Sequence, residues 1–247
     1  MRILDVNKMF LGTTGVKRVF QGEEIVWPAV SGITGDTVIH YHIEDPSGNT
    51  LNIPLPYKQW WVGSTPHWTN YFETDAGKEE PYYDRNGIML FENRLINCYR
   101  SFQLPMIVGS GETPDWFVDI ISLPETLTEM DGAFENNDCL RSINLPSNVQ
   151  NLRATFWECH WLTGLTIPDG VKELYQTCSR CRRMTYVSIP SSVTFVYYAF
   201  SYMDSLTEIN FRGTMAQWNA IENVEQIYTS ENNLLQRIIC TDGTITL

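Results

Sequence analysis

Apolar residues in the second half of the chain return every 22 positions. Leu123, Leu145, Ile167 and Ile189 each precede a proline: Pro124, Pro146, Pro168 and Pro190. Two positions before them stand Ile121, Ile143, Leu165 and Val187. Past the prolines come Leu127, Val149, Val171 and Val193, then Met130, Leu152, Leu174 and Val196, then Ala133, Thr155, Thr177 and Ala199. Phe134, Phe156, Cys178 and Phe200 follow, with Asn137, Cys159, Cys181 and Met203 next and Leu140, Leu162, Met184 and Leu206 last. The columns hold without insertion or deletion, which is the signature of a repeat architecture.

The pattern within one unit changes period midway. In Leu140-x-x-Ile143-x-Leu145 the alternation sends Ile143 and Leu145 to one face, as in a strand, and Pro146 ends it by removing a ladder donor. The V-x-x-L-x-x-A-F half steps by three and predicts a helical or 3-10 turn that closes the coil. One coil cannot bury its own apolar face, so coils must stack, their strands forming a parallel sheet over a shared core. Ser122, Asn144, Thr166, Ser188 and Asn210, small and polar, then line the outer sheet face. A fifth unit keeps Ile209, Phe211, Met215 and Trp218 but puts Arg212 in the proline column and Glu222 in the phenylalanine column, as a capping repeat would. Ile238 to Ile245 reads as a closing hairpin turned at Asp242-Gly243.

The first half is less periodic. Val16–Phe20 and Ile25–Pro28, joined through Gln21-Gly22-Glu23-Glu24, predict a hairpin within residues 1–30. Residues 31–115 predict a small β-rich domain without an assignable fold. Thr37–Ile43 is its best strand, Asp45–Asn49 a turn, and Leu51–Ile53 a segment that pairs back. Trp60, Trp61, Trp68, Tyr71, Phe72, Tyr82 and Tyr83 make it rich in aromatics, and Gly109–Pro114 reads as a loop. Asp115–Val118 is expected to cover the first coil of a solenoid over 116–247. The fold class is thus mainly β: a small N-terminal β-rich domain, then a leucine-rich-repeat solenoid of 22-residue coils with short helical or 3-10 turns.

The 22-residue units resemble the BspA-like (Treponema-type) leucine-rich repeats, and Gly213-Thr214-x-x-x-Trp218-Asn219-x-Ile221 with Cys240-Thr241-Asp242-Gly243 is similar to that family's ending. The resemblance covers about 116–247 and departs at Cys178, Asn137, Met203 and Thr155. It implies surface attachment and the binding of protein or glycan. The G-x-x-x-I-V-W-P segment at Gly22–Pro28 resembles an N-terminal element of gut-phage virion structural proteins.

Composition narrows the partners. A net charge of −12, with 17 Lys and Arg against 29 Asp and Glu, suits neither nucleic acid nor anionic membrane. Met1–Lys8 lacks an apolar signal region, and no run approaches a membrane span, so synthesis in a cytoplasm and no membrane insertion are expected.

Candidate chemistry is sparse. Cys178-x-x-Cys181 has redox or zinc spacing, yet both cysteines, like Cys159, fall in core columns and are read as core filler. His40-x-His42 could begin a metal site, but no third ligand such as His67 can be placed. Glu79-Glu80 and Glu23-Glu24 read as solvated. No nucleophile triad, phosphate loop or H-E-x-x-H occurs, so no catalytic residue, metal or cofactor is assigned and the protein is not expected to be an enzyme. The candidate surface is aromatic: Tyr175 and Tyr197 share one column with Arg153, while Trp157, Trp161, Tyr186, Tyr198 and Tyr202 fall outside the core columns. Such residues bury much area at little entropic cost. Together these features predict a bacteriophage virion structural protein (tail, baseplate or head-fibre component). It would be a homo-oligomer contacting other virion proteins and host surface protein or glycan. The alternative is a bacterial cell-surface or secreted adhesin.

Overall fold

The computed structural model describes residues 19–21, 24–27, 35–55, 71–83, 88–102, 113–229 and 234–247. The expectations for Met1–Lys8, the Gly22–Glu23 turn, Trp60, Trp61, His67, Trp68 and the Gly109–Glu112 loop lie outside them. The expected N-terminal hairpin is present: β1 (Val19–Gln21) pairs antiparallel with β2 (Glu24–Trp27).

In the rest of the first half, β3 (Val38–Glu44) is followed by β4 (Tyr71–Thr74), β5 (Gly77–Glu79), β6 (Tyr82–Tyr83), β7 (Met89–Leu90) and β8 (Leu95–Tyr99). After β3, Asp45 accepts from the amides of Ser47 and Asn49, and Leu51 N–H returns to Ile43 O at 2.8 Å. That closes the predicted turn, because an Asp side chain can stand in for a backbone carbonyl. Glu79 is not simply solvated as expected: its carboxylate accepts from Glu92 N–H and, at 2.9 Å, from Asn93 Nδ2.

The solenoid supplies β9 (Phe117–Ser122), β10 (Leu140–Ile143), β11 (Gly164–Thr166), β12 (Glu173–Tyr175), β13 (Tyr186–Pro190), β14 (Phe195–Tyr197) and β15 (Glu208–Arg212). Two short helices, α1 (Met215–Asn219) and α2 (Gln226–Thr229), precede β16 (Arg237–Cys240) and β17 (Gly243–Thr246). Thr214 and Gln217 form a capping box on α1. The predicted tail hairpin pairs Cys240 with Gly243, and Asp242 accepts from Met215 N–H at 2.8 Å, tying the tail to α1.

Each coil carries strand on two sides. On the first side β13, β15 and β16 continue β11 in parallel register, Leu165 beside Val187 and Ser188 beside Asn210. On the second side β12 pairs in parallel with β14, and Asn97, Glu129 and Asn151 are bridged in series. The columns of Leu174 and Val196 therefore lie on a second ladder and not on the helical turn that their spacing suggested. Stacked neighbours offer these short segments a backbone partner at every step, which outweighs a weak local preference. The turn lies further on, as i→i−3 bonds such as Ala133 N–H to Met130 O and Asn137 N–H to Phe134 O.

These turns bend through the left-handed region at fixed places. Gly132, Ala154, Gln176 and Tyr198 share one such column, with φ of 60°, 50°, 50° and 47°. Asn136, Glu158, Arg180 and Tyr202 share another, with φ of 61°, 59°, 65° and 58°. Only Gly132 avoids the steric cost of that conformation.

The core columns are buried from Ile121 to Phe211, with two exceptions. Leu145 is half-buried, and Ile121 is 52% exposed although its column predicts burial. Pairing between β10 and β9 slips after Leu140, so Ile143 faces Ile120, which is buried in place of Ile121. A one-residue slip sends a side chain to the opposite face. Ser188 of the outer column is also buried, at 4% exposure, whereas Asn144 and Thr166 are exposed as expected.

The core does not stop at residue 115. Strand β3 pairs antiparallel with β9, so Asp115–Val118 leads into the first solenoid strand rather than lying across its end. Cys98, Arg100 and Phe102 donate their amides to Glu129, Asp131 and Ala133 at 3.0 Å, making 98–102 a further rung. One apolar cluster runs from Ile39 to Cys240.

Candidate functional site

The cysteines belong to that core. Cys159 Sγ donates to Phe134 O, and Cys181 Sγ to Phe156 O, both at 3.0 Å. Asn137, in the same column, reaches Phe102 O through Nδ2 at 3.4 Å. This column thus adds a side-chain donor to a buried carbonyl of the preceding coil's turn, which at Phe134 and Phe156 already accepts a backbone amide. All six cysteines are buried thiols outside any disulfide, and burial pushes those of Cys98, Cys159 and Cys181 well up, that of Cys139 to about 12. A thiol that resists ionisation is a poor nucleophile and metal ligand. His42 lies 3.3 Å from Glu44 and His40 is exposed; among the described residues no cluster of His, Cys, Asp or Glu could hold a metal.

Charged residues staple successive coils. Arg141 pairs with Asp119 and also with Glu44 of β3, holding the Glu44 carboxyl below its usual range. Glu158 pairs with Arg180 at 2.9 Å, His160 with Asp138, and Arg182 with Asp204 at 3.6 Å. Apart from Arg141–Glu44, each of these contacts is between neighbouring coils, because positions 22 residues apart stand directly above one another.

Aromatic residues form a file along the second ladder. Tyr175 and Tyr197 stack at 4.7 Å, Arg153 lies over the Tyr175 ring at 4.3 Å, and Tyr198 meets Tyr197 edge-on at 4.7 Å. Beyond Arg153 the file continues through Asp131, whose carboxyl is pushed up by burial, toward Tyr99, stacked on Tyr71 at 5.4 Å with Lys78 over the latter. Tyr99 escaped sequence reading, and Tyr71 was read only as part of an aromatic-rich stretch, because their segments share no spacing with the repeat.

The other predicted aromatics scatter. Trp161 is covered by Arg183 at 3.6 Å and packs on Phe117. Tyr202 lies under Arg180 at 5.0 Å and is 37% exposed. Trp157 is half-buried on the turn side. Tyr186 stands on the first side, 46% exposed, beside an open hollow of about 650 Å³. The structure therefore brings Tyr175, Tyr197 and Tyr198 into one surface, leaving Tyr186 and Trp161 elsewhere.

Comparison with known proteins finds the repeat. Residues 117–227 match the family model for the BspA type leucine rich repeat region, in six copies. A leucine rich cell surface protein from Faecalibacterium prausnitzii A2-165 is similar at 32% identity and a TM-score of 0.39. The match covers 40% of this chain and 27% of that one, so the chain spans about a quarter of that protein's length. No curated protein matches. The phage-like reading of the N-terminal segment finds no support in these comparisons. Over Phe117–Ile227, less than half of the chain, the similarity is to BspA-type leucine-rich repeats.

Proposed function

We propose that this is a binding protein, not an enzyme. In this reading the solenoid displays the file Arg153–Tyr175–Tyr197–Tyr198 to a protein partner at a bacterial cell surface. The observation that carries the proposal is the file itself, three tyrosines held in mutual contact on a ladder, with Tyr198 45% exposed. Rings ordered before binding lose little entropy on contact, and tyrosine and arginine dominate binding hot spots. The family resemblance implies surface attachment, which favours the adhesin reading over a virion component.

Two measurements test it. An antibody against the purified chain should label intact, unpermeabilised cells of the source bacterium. Adhesion of those cells to protein-coated surfaces should fall by about tenfold in a Tyr175→Ala/Tyr197→Ala strain, as for loss of a hot spot. Labelling only after permeabilisation, or unchanged adhesion, refutes the proposal.

A further inference from the structure

The first-side sheet is interrupted at one place. Strand β10 pairs with β9, and β11 with β13, but among the described residues no ladder joins β10 to β11. Asn144 N–H bonds Ile120 O and Ile167 N–H bonds Ser188 O, away from the gap. Since successive residues of a strand point their amides to opposite sides, Ile143 and Thr166 turn theirs toward it. The hollow beside Tyr186 lies over this gap.

The gap is pinned at both ends. Thr163 N–H reaches Arg141 O at 3.3 Å, and a Cβ on Gly170 would stand 3.3 Å from Val149 O. The two coils are thus held at single spacing on either side, and a strand, which needs a spacing of about 4.8 Å to each neighbour, cannot run through. The site fits a compact occupant.

Its walls are chemically distinct. The column Ser142, Gly164, Tyr186, Glu208 drops to no side chain at Gly164, and Tyr186 lies against that glycine, its Cδ1 3.5 Å from where a Cβ would stand, while the rest of its ring borders the hollow. Arg212, standing where earlier coils have proline, reaches back to Ile167 O and pairs with Asp169 at 3.0 Å. Asp169 is otherwise 84% exposed. Asn144 Nδ2 is spent on Ile121 O, which leaves its carbonyl oxygen to accept, and Thr166 adds a hydroxyl. With Glu125 on the far rim the charged groups sum to one net negative charge, on a chain of −12. An anionic ligand is therefore disfavoured.

We infer that this hollow binds a neutral sugar unit, one or two pyranose rings of an oligosaccharide. A tyrosine ring presents a negative face to the weakly positive C–H groups of a pyranose. Asp169, Arg212, Asn144 and Thr166 offer acceptors and donors for its hydroxyls. A concave site of this volume with a few convergent polar groups is of small-ligand size. The site is separate from the tyrosine file on the second ladder, and the inference stands without the adhesin proposal.

The test is the full chain on a microarray of neutral, sialylated and sulfated oligosaccharides, beside Tyr186→Ala, Asp169→Ala and Tyr197→Ala. Thermal unfolding confirms that each variant is folded, Tyr186 and Asp169 being exposed and Tyr197 half-buried. Neutral members should bind, and Tyr186→Ala and Asp169→Ala should each weaken them by about tenfold, the effect of one well-made contact. Tyr197→Ala should leave them unchanged. The inference is overturned if no neutral member binds, if only charged members bind, if Tyr186→Ala has no effect, or if Tyr197→Ala abolishes the signal.

Discussion

Replacing Leu162 by alanine probes the junction where the first-side ladder is missing. Leu162 is fully buried, and its coil shares no first-side ladder with the one before, so packing carries more of the load there. The substitution deletes three carbons. At about 0.8 kcal/mol per buried methylene the transfer loss is about 2.4 kcal/mol. A cavity that fails to collapse adds about 24 cal/mol per Å³, so some 40–60 Å³ contributes about 1–1.5 kcal/mol. The expected total is about 3–4 kcal/mol. Thr166→Ala, four residues on and exposed, should cost under about 0.5 kcal/mol. Urea unfolding followed by tryptophan fluorescence reads both, with the m-value confirming that the same surface unfolds in each. Equal costs at the two sites would show that the columns do not face as described.

Four further outcomes follow from the core and its turns. The native chain should leave Ellman's reagent almost untouched until denatured; fast reaction of Cys178 or Cys181 would contradict their role. Since burial raises the thiols in the folded state, stability should be complete below about pH 9 and fall as pH rises toward 12. For Cys139, moving from 9.0 to about 12, the loss is about 1.4 kcal/mol per pH unit in that window. Cys139→Ala should flatten that slope in alkaline urea titrations. Ala154→Gly, relieving a φ of 50°, should stabilise by about 0.5–1 kcal/mol in chemical denaturation, and a loss would refute the strain argument. Thr155 Oγ1 donates to Met130 O at 2.8 Å, while buried Thr177 Oγ1 has no partner. Calorimetry should therefore find Thr155→Val destabilising by about 1 kcal/mol and Thr177→Val neutral or stabilising.

The repeat was legible because every coil meets the same surroundings, so the same position demands the same kind of side chain four times over. Phe134 and Phe156 stack at 6.0 Å, and Cys159 and Cys181 each answer a carbonyl. The tail hairpin was legible from Asp242-Gly243 alone. The second ladder was not, since Glu173–Tyr175 and Phe195–Tyr197 are three residues each and carry no alternation long enough to outweigh the three-residue step around them. Nor was the joining of β3 to β9, a pairing across more than 70 residues with no local mark. Ile121 misled because a slip in backbone register leaves no trace in the spacing of side chains. The tyrosine file could be half read, from the shared column of Tyr175 and Tyr197. The hollow could not, for it depends on a ladder that fails to form and on Arg212 reaching across a coil.

Since Arg141–Asp119, Glu158–Arg180, His160–Asp138 and Arg182–Asp204 each join positions 22 residues apart, and the thiol bonds of Cys159 and Cys181 repeat one offset between adjacent units, removing or duplicating one complete coil would recreate the same junction on either side of the join. The distance between the two ends can then change only in whole steps of about 4.8 Å, the spacing of neighbouring strands. Such a chain is a ruler with fixed graduations. Its reach could be lengthened by copying a unit, with neither end having to be redesigned.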